Sequence, residues 1–146
     1  MENGNVMITV NISSGEAYDR LSILKVKTEK IKDPTKFEKV SEQFADLWED
    51  IQCHEVGSDR EDTLSDSYAM LIDINTRLWE VEDDIRECEA KQDFSDKFVQ
   101  LARKVYHLND DRHKQKLKID RLFNSELTEQ KDYTKYEKSG DISKPI

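Results

Sequence analysis

The spacing of apolar residues in the first third of the chain predicts two helices joined almost without a loop. Apolar side chains recur there every three or four residues, which is the repeat of one buried helix face. We expect the helices over 16–32 and 34–52, separated at Asp33-Pro34. Proline disfavours helical angles in the residue before it and suits the first position of a new helix. The expected buried stripes are Ala17, Leu21, Leu24, Thr28 and Ile31, then Phe37, Val40, Phe44, Leu47 and Ile51.

The same repeat predicts a second, longer pair of helices, over 62–91 and 94–123. The segment 53–62 lacks periodicity and contains a glycine, so we read it as a loop. The expected fold is therefore all-α, with two antiparallel helical hairpins forming a four-helix, coiled-coil-like bundle. Its seam runs through Leu64, Leu71, Ile74, Leu78, Val81, Ile85 and Cys88, and through Phe94, Phe98, Leu101, Val105, Leu108, Ile119 and Leu122.

The two ends of the chain have different patterns. Residues 7–13 alternate between apolar and polar, which predicts a short N-terminal β-strand arm. A strand needs a partner, so the arm either lies on the helices or pairs with the same strand of another subunit. We expect one helical domain over 1–136 and a flexible tail over 137–146.

Composition narrows the functional classes. The chain has 146 residues and a formal net charge of -9, which opposes binding to nucleic acid and to anionic membranes. No apolar run approaches the ~20 residues of a membrane span. Two cysteines form no disulfide framework, and this predicts a reducing, cytoplasmic setting.

Charge also differs between the two long helices. Residues 61–91 carry ten acidic and three basic side chains, whereas residues 94–123 carry eight basic and four acidic ones. Opposite charge favours pairing of these helices, although each exposed ion pair contributes only ~0.2–1 kcal/mol. The acidic stretch LWEVEDDIRECE at 78–89 is therefore interpreted mainly as a solvated, charge-complementary surface.

One position interrupts the apolar seam. Arg112 falls where the stripe of the fourth helix should continue, and a buried guanidinium needs a carboxylate partner, for which Asp19, Glu82 and Asp83 are the candidates. The interpretations left open are a structural or solvent-reaching arginine and an anion-binding arginine in a polar pocket. The candidate binding cluster is Asp19, Glu82, Asp83, Arg86, Asn109 and Arg112.

No catalytic residue is predicted, because the chain has no phosphate loop, nucleophile elbow or dinucleotide fingerprint. Carboxylate pairs three residues apart give weak candidates for a metal site: Asp46 with Glu49, and Glu80 with Asp83. They leave a Mg²⁺-dependent, all-α nucleotide or sugar-phosphate hydrolase as the alternative. Otherwise no cofactor is expected.

Four blocks of sequence resemble a family of small bacterial and phage proteins of unknown function. The blocks are SSGEAYDRLSILKVKTEKIKDPTK, LWEVEDDIRECE, FVQLARKVYHLNDDRHKQKLKID and NSELTEQKDY, and the resemblance covers about residues 8–133. It implies an all-helical protein, with bacterial members encoded near glycosyltransferase and surface-polysaccharide genes. It carries over no catalytic residue. The leading hypothesis is a non-enzymatic interaction or accessory protein that binds a protein partner or forms a homo-oligomer, plausibly a dimer.

Overall fold

A computed structural model describes residues 4–125 and 130–137, and within them the protein is built from helices. The four long helices are α1 (Ser14–Lys30), α2 (Pro34–Gln52), α3 (Glu61–Ala90) and α4 (Asp96–Leu122). A single 3-10 turn, Ser58–Arg60, precedes α3. The all-α prediction is confirmed for these residues.

Local signals set the helix ends. The side chain of Ser13 accepts a hydrogen bond from the backbone of Glu16 and so caps α1. Asp33 caps α2 in the same way through Thr35, and Pro34 occupies the first turn. Between α3 and α4 the chain reverses at Gln92, whose φ of 54° is left-handed. This short turn makes α3 and α4 an antiparallel hairpin.

The α3–α4 hairpin has a continuous apolar interior. The side chains of Ile74, Leu78, Val81, Cys88, Leu101 and Leu108 are buried together, and Ile85, Phe98 and Val105 pack against them. A second cluster joins all four helices near the other end of the molecule: Tyr18, Leu21, Ile51, Leu71 and Ile119. Most of the seam predicted for the long helices therefore lies in the core, but Phe94 precedes α4 and is 52% exposed. Coiled-coil geometry stays a prediction.

Helix α1 lies at the centre, because it packs against α2, α3 and α4. Its buried positions include Tyr18, Leu21 and Val26, whereas the expected Leu24 and Thr28 are only half-buried. A helix with neighbours on several sides has no single buried stripe. On α2, Phe37 remains 43% exposed.

The predicted N-terminal strand is wrong. Residues 7–13 form neither strand nor helix, and the described part of the chain contains no other strand that could pair with them. The flexible tail predicted for 137–146 lies, apart from residue 137, outside the described residues. Among the described helices, none combines the length and apolar character that a bilayer crossing requires.

Candidate functional site

A buried ion pair between α1 and α4 is the centre of the site. The carboxylate of Asp19 is 1% exposed and faces the guanidinium of Arg112, which is 27% exposed. Nε of Arg112 donates to Oδ1 of Asp19 at 2.8 Å, and Nη2 donates to Oδ2 at 2.5 Å. This two-point contact fixes the plane of the guanidinium as well as its position.

Two further polar side chains complete the network around Asp19. Nδ2 of Asn75 on α3 donates to Oδ1 of Asp19 at 3.1 Å and to Oγ of Ser22 at 2.7 Å. The Ser22 hydroxyl donates in turn to the backbone oxygen of Asp19 at 2.6 Å. The network therefore links three helices, and its hydrogen bonds offset the loss of hydration of a buried carboxylate.

The network opens into a cleft of about 460 Å³ between α1, α3 and α4. That volume is within the range of small-molecule sites. The lining combines apolar, aromatic, amide and charged groups: Ile23, Val26, Asn75, Leu78, Trp79, Glu82, Asp83, Arg86, Asn109 and Arg112. Trp79 is 37% exposed, so this aromatic residue of the lining is in part accessible to solvent.

The structure brings the predicted polar cluster together at this cleft. Its members Glu82, Asp83, Arg86, Asn109 and Arg112 line the cleft, and Asp19 lies behind Arg112. Of the three carboxylates considered as partners of Arg112, Asp19 makes the two-point contact. The amide oxygen of Asn109 lies 3.5 Å from Nη1 of Arg112, a long contact one helical turn away.

The weak metal candidates are dispersed. Asp46 and Glu49 are exposed on α2, and Glu80 accepts a hydrogen bond from Lys30 at 3.1 Å. Only Asp83 lies at the cleft. Within residues 4–125 and 130–137, no three His, Cys, Asp or Glu side chains come close enough to hold a metal ion. The Mg²⁺ alternative stays a prediction.

A second polar contact, which the sequence analysis missed, joins the start of α1 to the end of α4. Oδ1 of the buried Asp120 accepts from the backbone N–H of Gly15 at 2.7 Å. A side chain at Gly15 would place its Cβ 2.1 Å from the backbone oxygen of Lys116. Only glycine permits this approach, and a glycine directly before the predicted helix 16–32 was the available signal.

Neighbouring charges reinforce the α1–α4 contact. Nζ of Lys116 lies 2.7 Å from Oε2 of Glu16. Burial by itself would raise the pKa of Glu16, but its hydrogen bonds and charge interactions with Lys116 and Arg20 lower that pKa overall. Further along α4, burial lowers the pKa of Lys104, partly opposed by the charge of Asp84 on α3. The closest ion pairs of α4 thus reach α1, while Lys104 interacts with α3.

Comparisons with known proteins identify a family and no closer relative. No curated protein and no solved structure matches the chain. One family model matches residues 8–144 and is described as a family of unknown function, DUF6165. Because this match spans nearly the whole chain, the protein belongs to the DUF6165 family.

Proposed function

We propose that this protein is a non-enzymatic binding protein whose cleft takes a small, polyhydroxylated ligand of the sugar class. The observation that carries the proposal is the cleft itself, where the buried Asp19 orients Arg112 and the partly exposed Trp79 belongs to the same lining. A donor that is already fixed loses little conformational entropy when a ligand binds, so the site is preorganised.

The charges of the lining favour a ligand of low net charge. Two guanidinium groups, Arg86 and Arg112, face two carboxylates, Glu82 and Asp83. Carboxylates accept hydrogen bonds from hydroxyl groups, and guanidinium and amide N–H groups donate to them. A sugar hydroxyl uses both abilities. A polyanion, in contrast, would meet two carboxylates in a protein whose net charge is -9.

The apolar part of the cleft fits the other side of a sugar ring. Ile23, Val26 and Leu78 form apolar walls, and the Trp79 indole offers a flat surface for the C–H face of a pyranose. The resemblance of the sequence to proteins encoded near glycosyltransferase genes agrees with this ligand class. It supports an accessory role in surface-polysaccharide synthesis.

Intrinsic fluorescence tests the proposal directly. Trp48 lies on α2 outside the cleft, so the variant Trp48→Phe leaves Trp79 as the only tryptophan. We expect saturable changes in its emission with neutral hexoses or N-acetylhexosamines at millimolar concentration, without added metal. If the emission does not change up to about 50 mM ligand, which is roughly the weakest binding such an assay detects, a sugar site is rejected.

A matched pair of variants locates the binding. Glu82 and Glu87 are both exposed on α3, but only Glu82 lines the cleft. We expect Glu82→Gln to weaken sugar binding about tenfold, as for a lost hydrogen bond to a charged group, and Glu87→Gln to leave it unchanged. Equal effects of the two substitutions would contradict binding at the cleft. Mg²⁺-dependent turnover of a nucleotide or sugar-phosphate would favour the hydrolase instead.

A further inference from the structure

The N-terminal arm, defined as residues 4–12, exposes apolar side chains. Val6, Met7 and Ile8 are 88%, 90% and 82% exposed, and Val10 is 62% exposed. Consecutive apolar side chains at such exposure are unfavourable in water, so the segment needs a cover that its own described chain does not supply. The arm also belongs to the longest uncharged stretch of the sequence, residues 3–15.

A groove of about 520 Å³ begins where the arm ends. Its apolar lining comes from α1, α2 and the residues after α4, and includes Tyr18, Leu47, Ile51 and Phe123. Val10 and Ile12 of the arm form one of its walls. The groove has room for a few apolar side chains, and Asp50 is the acidic residue in its lining.

We propose that the arm of a second copy of this chain occupies the groove, and that the exchange is reciprocal in a two-fold symmetric dimer. Arm and groove are adjacent, so one two-fold rotation can seat both arms at once. The arm's own residues 10–12 already form a wall of the groove, and residues 6–8 extend away from it into solvent. The groove is therefore open to a segment from outside.

Charge permits a second copy as the occupant. Two molecules with a net charge of -9 repel each other, and the repulsion is smallest where they meet through uncharged surfaces. The arm carries no charge, and the groove combines apolar side chains with small polar ones, with Asp50 as the acidic residue in its lining. The interface would be small, because specific interfaces bury roughly 1,200–2,000 Å² and each arm contributes only nine residues. We therefore expect a dimer that dissociates at micromolar concentration.

Light scattering coupled to size-exclusion chromatography gives the first test. The full chain is measured from about 2 to about 200 µM, which brackets the weak affinity expected for a small interface. The mass should rise from 17.2 kDa towards twice that value. In an extended arm Ile8 and Val10 share one face, and Thr9 and Asn11 the other. Ile8→Asp with Val10→Asp should abolish the dimer, while Thr9→Asp with Asn11→Asp, which adds equal charge, should retain it.

A cross-link gives the second test. Cys53 is exposed and lies between Ile51 and His54, which line the groove, whereas the other cysteine, Cys88, is buried. Val6→Cys should therefore form a disulfide with Cys53 of the other molecule on mild oxidation. The product is a covalent dimer on a non-reducing gel, and Cys53→Ser should prevent it.

Each other outcome overturns the proposal. A monomer at every concentration means that a different partner, or none, covers the arm. A cross-link within one molecule means that the arm folds back into its own groove. A dimer that survives Ile8→Asp with Val10→Asp, or a covalent dimer that does not need Cys53, means that the copies meet elsewhere. Circular dichroism is the folding control. Because the arm lies outside the helices, each arm variant should keep the helical signal of the unmodified protein.

Discussion

Replacing each partner of the buried ion pair separately should have unequal effects on stability. Asp19→Asn keeps the size of the side chain and removes its charge. Arg112→Met keeps much of the length and removes the cation. The two groups differ in access to water, since the Asp19 side chain is 1% exposed and the Arg112 side chain is 27% exposed. In Asp19→Asn, the arginine left without its carboxylate can therefore become hydrated. In Arg112→Met, the aspartate left without its cation cannot.

The magnitudes follow from that difference. Asp19→Asn keeps an oxygen at Oδ1 for Asn75 and for Nε of Arg112 but loses the hydrogen bond at Oδ2, where an amide nitrogen would face Nη2 of Arg112. We expect a loss of about 2–3 kcal/mol. Arg112→Met leaves a buried carboxylate without its cation, and we expect a loss of about 3–5 kcal/mol. The double variant leaves no unpaired charge at this position, so it should be at least ~2 kcal/mol more stable than the two losses added together would predict.

Urea unfolding followed by circular dichroism at neutral pH measures all four free energies of unfolding. Asp83→Asn is the matched control, because Asp83 lines the same cleft but is exposed, and it should change stability by less than ~0.5 kcal/mol. The reasoning fails if Arg112→Met is no more destabilising than Asp19→Asn. It also fails if the two losses add within ~0.5 kcal/mol.

Three further predictions concern backbone contact, ionisation and core packing. Gly15→Ala should lower the free energy of unfolding by at least ~2 kcal/mol, because its Cβ would meet a backbone oxygen at 2.1 Å, whereas Gly4→Ala, with nothing within 4 Å, should have no such effect in the same urea assay. Burial, with the nearby Tyr18, raises the pKa of Tyr68 from 10.0 to about 12. The neutral Tyr68 hydroxyl should therefore contribute fully to stability below pH 10.0, and this contribution should disappear as the pH rises towards 12. Urea unfolding at several pH values should show this loss in the unmodified protein and not in Tyr68→Phe. Identical pH profiles of the two proteins would refute the prediction. Ile119→Ala should lower the free energy of unfolding by about 2–5 kcal/mol, because Ile119 is 0% exposed. A loss below ~1 kcal/mol would show that this residue is not part of the core.

Hydrophobic periodicity predicted the fold best on α3, where apolar side chains make up most of the buried face. Leu71, Ile74, Leu78 and Val81 are buried on α3, as their spacing indicates. It failed on α1, whose buried surface includes Gly15, Asp19 and Ser22. A pattern of apolar residues cannot reveal a helix face that packs through small and polar side chains. The strand prediction for residues 7–13 failed for another reason. Alternation describes how a strand's side chains are arranged, but it does not show whether a partner strand exists.

The candidate site was predicted only in part. Arg112 drew attention because it interrupted an apolar stripe, and the polar residues around it followed from helical spacing. The choice of Asp19 over Glu82 or Asp83 depended on how α1 lies against α4, which no local pattern encodes. Asn75 and Ser22 gave no signal at all, because single Asn and Ser residues are common on helix surfaces.

The hydrogen bond from Gly15 to Asp120 has a consequence for synthesis of the protein, because its two residues are 105 positions apart. At about 5–20 residues per second, roughly 5–20 s pass between their incorporation by the ribosome. During that interval the first helix can gain its contacts with α2 and then with α3, but not its contact with the end of α4. The nascent chain therefore completes its polar centre late, and a translation product that stops before Asp120 lacks the acceptor that holds its first helix in place.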